Sequence, residues 1–130
     1  MSAELQLMMW SLVVYGLYLG AQSLIYRWRY GVMFAATARD APPKPEGELL
    51  GRAERALRNF QETWLAFVVM ALVAHLADPG DAVVFWGAVV YLAMRVVYLP
   101  LYLLGVFGLR SVVWFVGLLG LGAMFLGILF

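Results

Sequence analysis

Residues 52–77 read RAERALRNFQETWLAFVVMALVAHLA, and the two halves of this stretch differ in polarity. The half from Thr63 onward has no charged residue, whereas the half before it contains three arginines and two glutamates. A membrane-spanning helix needs about 20 mostly apolar residues, so the uncharged half is too short alone. The span must therefore begin near Leu49 and take its polar turns into the membrane, where they must face protein.

The rest of the chain has the composition of a membrane protein. Of its 130 residues, 65% are hydrophobic and 13% charged, whereas a soluble domain has about 45–50% apolar and about 25% charged residues. Residues 5–26 and 111–130 are uncharged, and residues 82–109 are interrupted by a single charge, Arg95. The sequence predicts one all-α domain over residues 1–130, an integral membrane four-helix bundle. Its helices are expected near residues 4–27, 49–77, 82–104 and 110–129.

The three connections between these helices differ in charge. The second connection, Asp78–Asp81, is predicted to be a tight turn and contains no basic residue. The third is followed by Arg110. The first connection and its flanks hold Arg27, Arg29, Arg39, Lys44 and Arg52. Because basic connections stay in the cytoplasm, connections one and three are predicted to be cytoplasmic and both termini to lie on the other side. Glu4 stands where a signal peptide would be basic, so the first helix is not expected to be cleaved as a signal peptide.

Several function classes are disfavoured by composition. Without cysteine, the chain has no disulfide, thiolate metal ligand or cysteine nucleophile, so any thiol must come from a ligand. A net charge of +1 gives no reason to expect nucleic acid as a partner. The single histidine, His75, lies far from the polar residues of its helix, and no metal site is predicted. A small four-helix drug exporter would need an acid within its first helix, but that helix has no charge between Glu4 and Arg27.

Two polar helix faces are predicted to meet inside the membrane. On the second helix the polar residues fall within an arc of about 120°, and on the third within about 60°. These residues are Arg52, Arg55, Arg58, Asn59 and Glu62 on the second helix, and Tyr91, Arg95, Tyr98 and Tyr102 on the third. Counted from the 78–81 turn, Glu62 lies about 24 Å and Tyr98 about 25 Å along its helix. The two faces are therefore level, and Arg110 and Ser111 open the fourth helix at a similar height.

A cavity with this set of side chains would be positive. Arginine forks bind carboxylates through paired hydrogen bonds, and Glu62 could hold an ammonium group. A small zwitterion with an excess of carboxylate is therefore the predicted ligand. The alternative is that Glu62 and Arg95 form a buried ion pair that fixes helix packing.

The runs GRAERALRNFQETW, RVVYLPLY and LRS resemble the MAPEG family, the membrane-associated proteins in eicosanoid and glutathione metabolism. The preceding ARDAPP resembles bacterial members, which implies a bacterial inner membrane. The resemblance covers nearly the whole chain and implies a homotrimer that binds glutathione between subunits. Leu57 is a departure, since many relatives have histidine there.

The resemblance also implies roles for individual residues. Arg110 would stabilise the glutathione thiolate with its neighbour Ser111, and one of Arg27 or Arg29 would match the helix-one arginine of the family. The predicted glutathione-binding residues are Arg55, Arg58, Asn59, Glu62, Arg95, Tyr98 and Tyr102. The predicted function is a glutathione-dependent membrane enzyme, with glutathione as cosubstrate. It would conjugate lipophilic electrophiles taken from the lipid bilayer or reduce lipid hydroperoxides. The alternative is a non-catalytic lipid- or glutathione-binding protein of the same fold.

Overall fold

The computed structural model describes residues 1–77 and 79–130, and every regular element in these ranges is helical. The long helices are α1 (Ala3–Tyr30), α3 (Gly47–Ala77), α4 (Ala82–Leu103) and α5 (Leu109–Leu129). All four are long and apolar enough to span a membrane, which confirms the predicted all-α membrane bundle. Each overlaps one of the predicted helices. The short α2 (Val32–Ala35) has no counterpart in the prediction, and Asp78 of the predicted turn lies outside the described residues.

Consecutive long helices run antiparallel, because side chains near the start of one contact residues near the end of the next. Between α1 and α3, Ser2 lies 2.8 Å from Nδ1 of His75 at one end, and Arg29 donates to the carbonyl oxygen of Pro45, just before α3, at the other. Between these ends, the Gln61 amide donates to the Tyr15 hydroxyl. Between α3 and α4, Arg55 near the start of α3 donates to the hydroxyl of Tyr102 near the end of α4, and the hydroxyls of Thr63 and Tyr91 are 2.8 Å apart midway along both helices. These bonds set the rotation of α3 relative to its neighbours.

The end of the bundle near residues 79–81 is held by hydrogen bonds to the N-terminal segment. Glu4 is buried, and its Oε1 accepts a hydrogen bond from the Gly80 amide at 2.8 Å. Ser2 caps α1 by accepting from the Leu5 amide, while Asp81 caps α4 in the same way. Capping satisfies amides that a helix start leaves unpaired. His75 belongs to this end, far from the polar residues of α3, as the sequence predicted.

Glycines bring α4 and α5 into backbone contact. A Cβ placed on Gly120 would lie 2.6 Å from the carbonyl oxygen of Gly87, and a Cβ on Gly87 would lie 2.6 Å from that of Gly120. No side chain fits at either position without moving a helix. Close approach at small residues is a common way to pack membrane helices, where the lipid supplies no hydrophobic driving force. This contact fixes α5, and therefore Arg110 at its start, against α4.

Candidate functional site

A cavity of about 590 Å³ opens between α3, α4 and α5 and is called the polar cavity here. Eight of the nine predicted site residues line it: Arg55, Arg58, Asn59, Glu62, Tyr98, Tyr102, Arg110 and Ser111. Trp114 and Phe115 complete the lining. The structure therefore brings these side chains of three helices to one cavity, as predicted, while their chemical roles stay predictions.

Helix α3 supplies the charged wall of the polar cavity. Arg55, Arg58 and Glu62 are exposed and Asn59 is half-buried, at the helical spacing that places them on one face. Nε of Arg55 donates to the Tyr102 hydroxyl at 3.2 Å, which ties this wall to α4. With Arg110, three arginines and one glutamate line the cavity, so the lining has a formal charge of +2.

Helices α4 and α5 supply the aromatic wall. Tyr98 is buried, and its ring centroid lies 5.5 Å from that of Tyr102. The guanidinium carbon of Arg110 lies 4.5 Å from the Tyr102 ring centroid, a cation–π distance. The ring therefore shields one face of this guanidinium from water. The N–H groups at the edge of the Arg110 guanidinium donate to no side-chain acceptor among the described residues.

Arg95 is the ninth predicted site residue, and it lies behind the cavity instead of lining it. Its side chain is 1% exposed, and its guanidinium lies close to the rings of Tyr18, Phe60 and Tyr98. Nη1 donates to Oδ1 of Asn59 at 2.8 Å, while Nε and Nη2 have no hydrogen-bond partner among residues 1–77 and 79–130. No ion pair joins Arg95 to Glu62; among the described residues, the ion pair found joins Arg52 and Glu48. A direct contact of Arg95 with a ligand stays a prediction.

Trp114 and Phe115 are cavity residues that the sequence reasoning missed. They lie four residues after Arg110 and Ser111, so they continue the same face of α5 by one helical turn. This i, i+4 spacing is the signal that could have identified them. They make the α5 side of the cavity apolar next to the polar residues Arg110 and Ser111.

An apolar groove continues from the polar cavity along α3 and α5. It has a volume of about 720 Å³ and begins at Glu62, which lines both spaces. Its walls include Leu65, Val69, Leu118 and Phe125. A molecule with a polar head and an apolar tail could therefore occupy both spaces at once.

Neither arginine near the end of α1 reaches the polar cavity within one chain. The Arg29 guanidinium donates two hydrogen bonds to the carbonyl oxygen of Pro45, at 2.9 and 2.7 Å. Arg27 donates to the carbonyl oxygen of Ser23 on its own helix at 3.1 Å. The match of one of them to a helix-one arginine stays a prediction. In the described part of the chain, no group of three or more His, Cys, Asp or Glu side chains could hold a metal ion.

Comparison with known proteins agrees with the resemblance found in the sequence. No curated protein and no solved structure matches the chain. A family model described as MAPEG family matches residues 7–130, nearly the whole chain. The protein is therefore a member of the MAPEG family.

Proposed function

We propose that this protein is a glutathione-dependent membrane enzyme that conjugates lipophilic electrophiles or reduces lipid hydroperoxides. The observation that supports this most directly is the polar cavity itself. It combines carboxylate-binding arginines, a single carboxylate at Glu62, and the Arg110–Ser111 pair, and it adjoins an apolar groove. Membership of the MAPEG family agrees with a glutathione-related function of this general type.

In this proposal the cavity binds glutathione by matching its charges. Glutathione has two carboxylates and one ammonium group. Arg55 and Arg58 bind the carboxylates, while Glu62 and Asn59 accept hydrogen bonds from the ammonium and the peptide N–H groups. Tyr98 and Tyr102 orient the peptide from the facing helix. Arg95 acts as a positioning residue, because its hydrogen bond holds the amide of Asn59.

Arg110 then favours the thiolate form of the bound thiol, because a nearby cation stabilises the anion. The thiol proton leaves to solvent. In conjugation, the sulfur lone pair forms a C–S bond with the electrophilic carbon as the leaving group departs or a double bond opens. In peroxide reduction, the thiolate sulfur attacks the terminal oxygen of the hydroperoxide and forms an S–O bond as the O–O bond breaks, which gives a sulfenic acid. The departing alkoxide takes a proton from solvent and leaves as an alcohol. A second glutathione then converts the resulting sulfenic acid to a disulfide and water.

The apolar groove is the proposed path of the lipophile. It runs along the membrane-spanning part of α3 and α5 and is open on the side that faces lipid in a single chain. A lipophile dissolved in the bilayer can slide along Val69 and Leu65 until its reactive atom reaches Glu62 and the polar cavity. The substrate therefore does not need to pass through water.

We also propose that the chain assembles as a homotrimer, with the polar cavity at its subunit interfaces. Arg58 and Glu62 are exposed in one chain, yet Glu62 lies about 22 Å along α3 from Ala77, well inside a bilayer core about 30 Å thick. Exposing charges to lipid at that depth is unfavourable, so a neighbouring subunit must cover them. The proposed location is a bacterial inner membrane, with connections one and three in the cytoplasm.

Calorimetry of the detergent-purified protein with glutathione tests binding, and a generic aromatic electrophile and a lipid hydroperoxide then test turnover. Arg58→Ala should weaken binding about tenfold, because one charge-assisted hydrogen-bonding group is lost. Arg39→Ala is the matched control, because Arg39 stacks on Tyr26 away from the cavity. Binding without turnover of any substrate would favour the non-catalytic alternative. Absence of glutathione binding would refute the proposed enzyme and leave only the lipid-binding form of that alternative.

A further inference from the structure

A second cavity lies at the α4–α5 connection, and it is called the arginine cavity here. Its volume is about 320 Å³. The residues that define it are Arg52, Arg55, Arg110, Tyr102, Gly105 and Phe107. Arg55, Tyr102 and Arg110 also line the polar cavity, so these three side chains form a wall between the two spaces. Arg52 lines the arginine cavity but not the polar cavity.

The arginine cavity depends on how Arg52 packs against the α4–α5 connection. Gly105 has φ +69, and a Cβ there would lie 2.8 Å from the Arg52 guanidinium carbon. Glycine at this position therefore both allows the turn and leaves room for the guanidinium. Nη1 of Arg52 makes one long hydrogen bond, 3.4 Å, to the carbonyl oxygen of Leu103. The guanidinium is thus held against the backbone with most of its donors free.

The charges around the arginine cavity are unbalanced. Three guanidinium groups line it, and none of its lining residues is acidic. The carboxylate of Glu48 lies 3.7 Å from Nη2 of Arg52, but its side chain is 88% exposed. Such a solvated surface pair provides little net compensation. The cavity therefore attracts anions.

Its lining also distinguishes it from the polar cavity. The polar cavity offers Glu62 and Asn59 as acceptors for an ammonium group, whereas the arginine cavity has no side-chain carboxylate or amide acceptor. A compact group with several anionic oxygens and no cation suits three converging guanidinium forks better than an amino acid does. Phosphate is the common biological group of this kind.

From these features we infer that the arginine cavity is a phosphate-binding site, separate from the proposed glutathione site. The phosphate can belong to a phospholipid headgroup or to a free phosphate compound. Exposed apolar side chains at its edge favour the lipid: Phe107 is 100% exposed and Leu104 75% exposed. These residues follow the end of a membrane span, where headgroups and acyl chains meet.

The shared wall predicts that the two sites are coupled. A phosphate in the arginine cavity draws the guanidinium groups of Arg55 and Arg110 toward itself and partly neutralises them. A carboxylate ligand in the polar cavity then binds less tightly, because its attraction to the same two guanidinium groups is weaker. By linkage, each ligand must weaken the other by the same factor.

The test is calorimetry of the full detergent-purified chain with three probes: inorganic phosphate, short-chain phosphatidic acid, and the matching diacylglycerol, which lacks phosphate. Arg52→Gln should weaken phosphate and phosphatidic acid binding about tenfold or more, since a charged hydrogen-bonding group is lost. Arg39→Gln is the control: it removes the same charge from an exposed segment and should leave the affinities for phosphate and phosphatidic acid unchanged. Because Arg52 is 33% exposed with one long hydrogen bond, its replacement should leave the fold intact. Arg52→Lys, which keeps the charge but loses the fork, should give intermediate affinity.

The outcomes separate the two phosphate sources and the two cavities. If phosphatidic acid binds much more tightly than inorganic phosphate, and this difference in affinity is lost in Phe107→Ser, the ligand is a lipid headgroup. Equal affinities that both fall in Arg52→Gln identify a free phosphate compound. The inference is overturned if neither phosphate probe binds, if diacylglycerol binds equally well, or if binding is unchanged in Arg52→Gln. Loss of binding in Asn59→Ala would then assign the phosphate to the polar cavity. Glutathione is titrated separately into the same samples, so a failure of the proposed function does not affect this result.

Discussion

Replacing Arg110 with alanine tests the chemistry of the polar cavity most directly. An unperturbed thiol has a pKa near 8.5, so only about 7% is thiolate at pH 7.4. A thiolate hydrogen-bonded to a guanidinium lies about 4 Å from its central carbon, where the attraction is about 1 kcal/mol in water and about 4 kcal/mol at an effective dielectric constant of 20. The Tyr102 ring, 4.5 Å from Arg110, excludes water from one face, while the cavity is open on another side.

An intermediate value of about 2 kcal/mol lowers the thiol pKa by about 1.5 units, to about 7. The thiolate fraction at pH 7.4 then rises to about 70%. In the wild-type protein with bound glutathione, the thiolate absorbance should therefore appear with a midpoint near neutral pH. In Arg110→Ala the pKa returns toward its ordinary value, so the midpoint should move to higher pH by at least about one unit.

The assay is a pH titration of the ultraviolet thiolate absorbance at saturating glutathione, with binding checked by calorimetry at each pH. Arg39→Ala is the control, because it removes an arginine that contacts Tyr26 and Ala35 outside the cavity. Its midpoint should match that of the wild type. If Arg110→Ala binds glutathione and keeps the wild-type midpoint, another arginine stabilises the thiolate, and Arg58 or Arg95 becomes the candidate.

Three further outcomes are expected. Glu62→Gln should weaken glutathione binding about tenfold in calorimetry, because the negative charge that pairs with the ammonium group is lost. Circular dichroism should show unchanged helix content, and unchanged affinity would exclude Glu62 from the site. A topology reporter fused after Phe130 should report an extracytoplasmic C-terminus, and a cytoplasmic signal would reverse the proposed orientation. Gly120→Leu should destabilise the bundle by about 1–3 kcal/mol in detergent unfolding, because its Cβ would meet the Gly87 carbonyl oxygen. Gly122→Ala is the control and should be nearly neutral, because the space around Gly122 is open. Equal stabilities of the two variants would contradict the tight α4–α5 contact.

The polar cavity was largely predictable because helix geometry is regular. Once Arg55, Arg58, Asn59 and Glu62 are placed on one face, the count of residues from the turn also sets their height. The same count brings Tyr98 and Tyr102 to that height on the facing helix. The structure places these residues around one cavity.

The position of Arg95 could not be predicted in the same way. It shares a helix face with Tyr98, so periodicity gives both residues the same expected environment. What separates them is packing: Tyr18 of α1 and Phe60 of α3 cover Arg95, and the Tyr18 hydroxyl donates to the Arg95 carbonyl oxygen. The rotation of one helix against two others depends on contacts between distant residues. The short α2 escaped prediction for a different reason, since its four residues are too few for a helical period.

The hydrogen bond between Glu4 and Gly80 has a consequence for membrane insertion. Glu4 is made early in synthesis, but the amide that it binds follows 76 residues later in the chain. Because the chain is synthesised from its N-terminus, this carboxylate has no Gly80 partner until the α3–α4 connection has been made and has reached the same end of the bundle. Burial of Glu4 therefore depends on the correct placement of the α3–α4 connection, so the N-terminal end of α1 can be completed only after α3 and the start of α4 are in place.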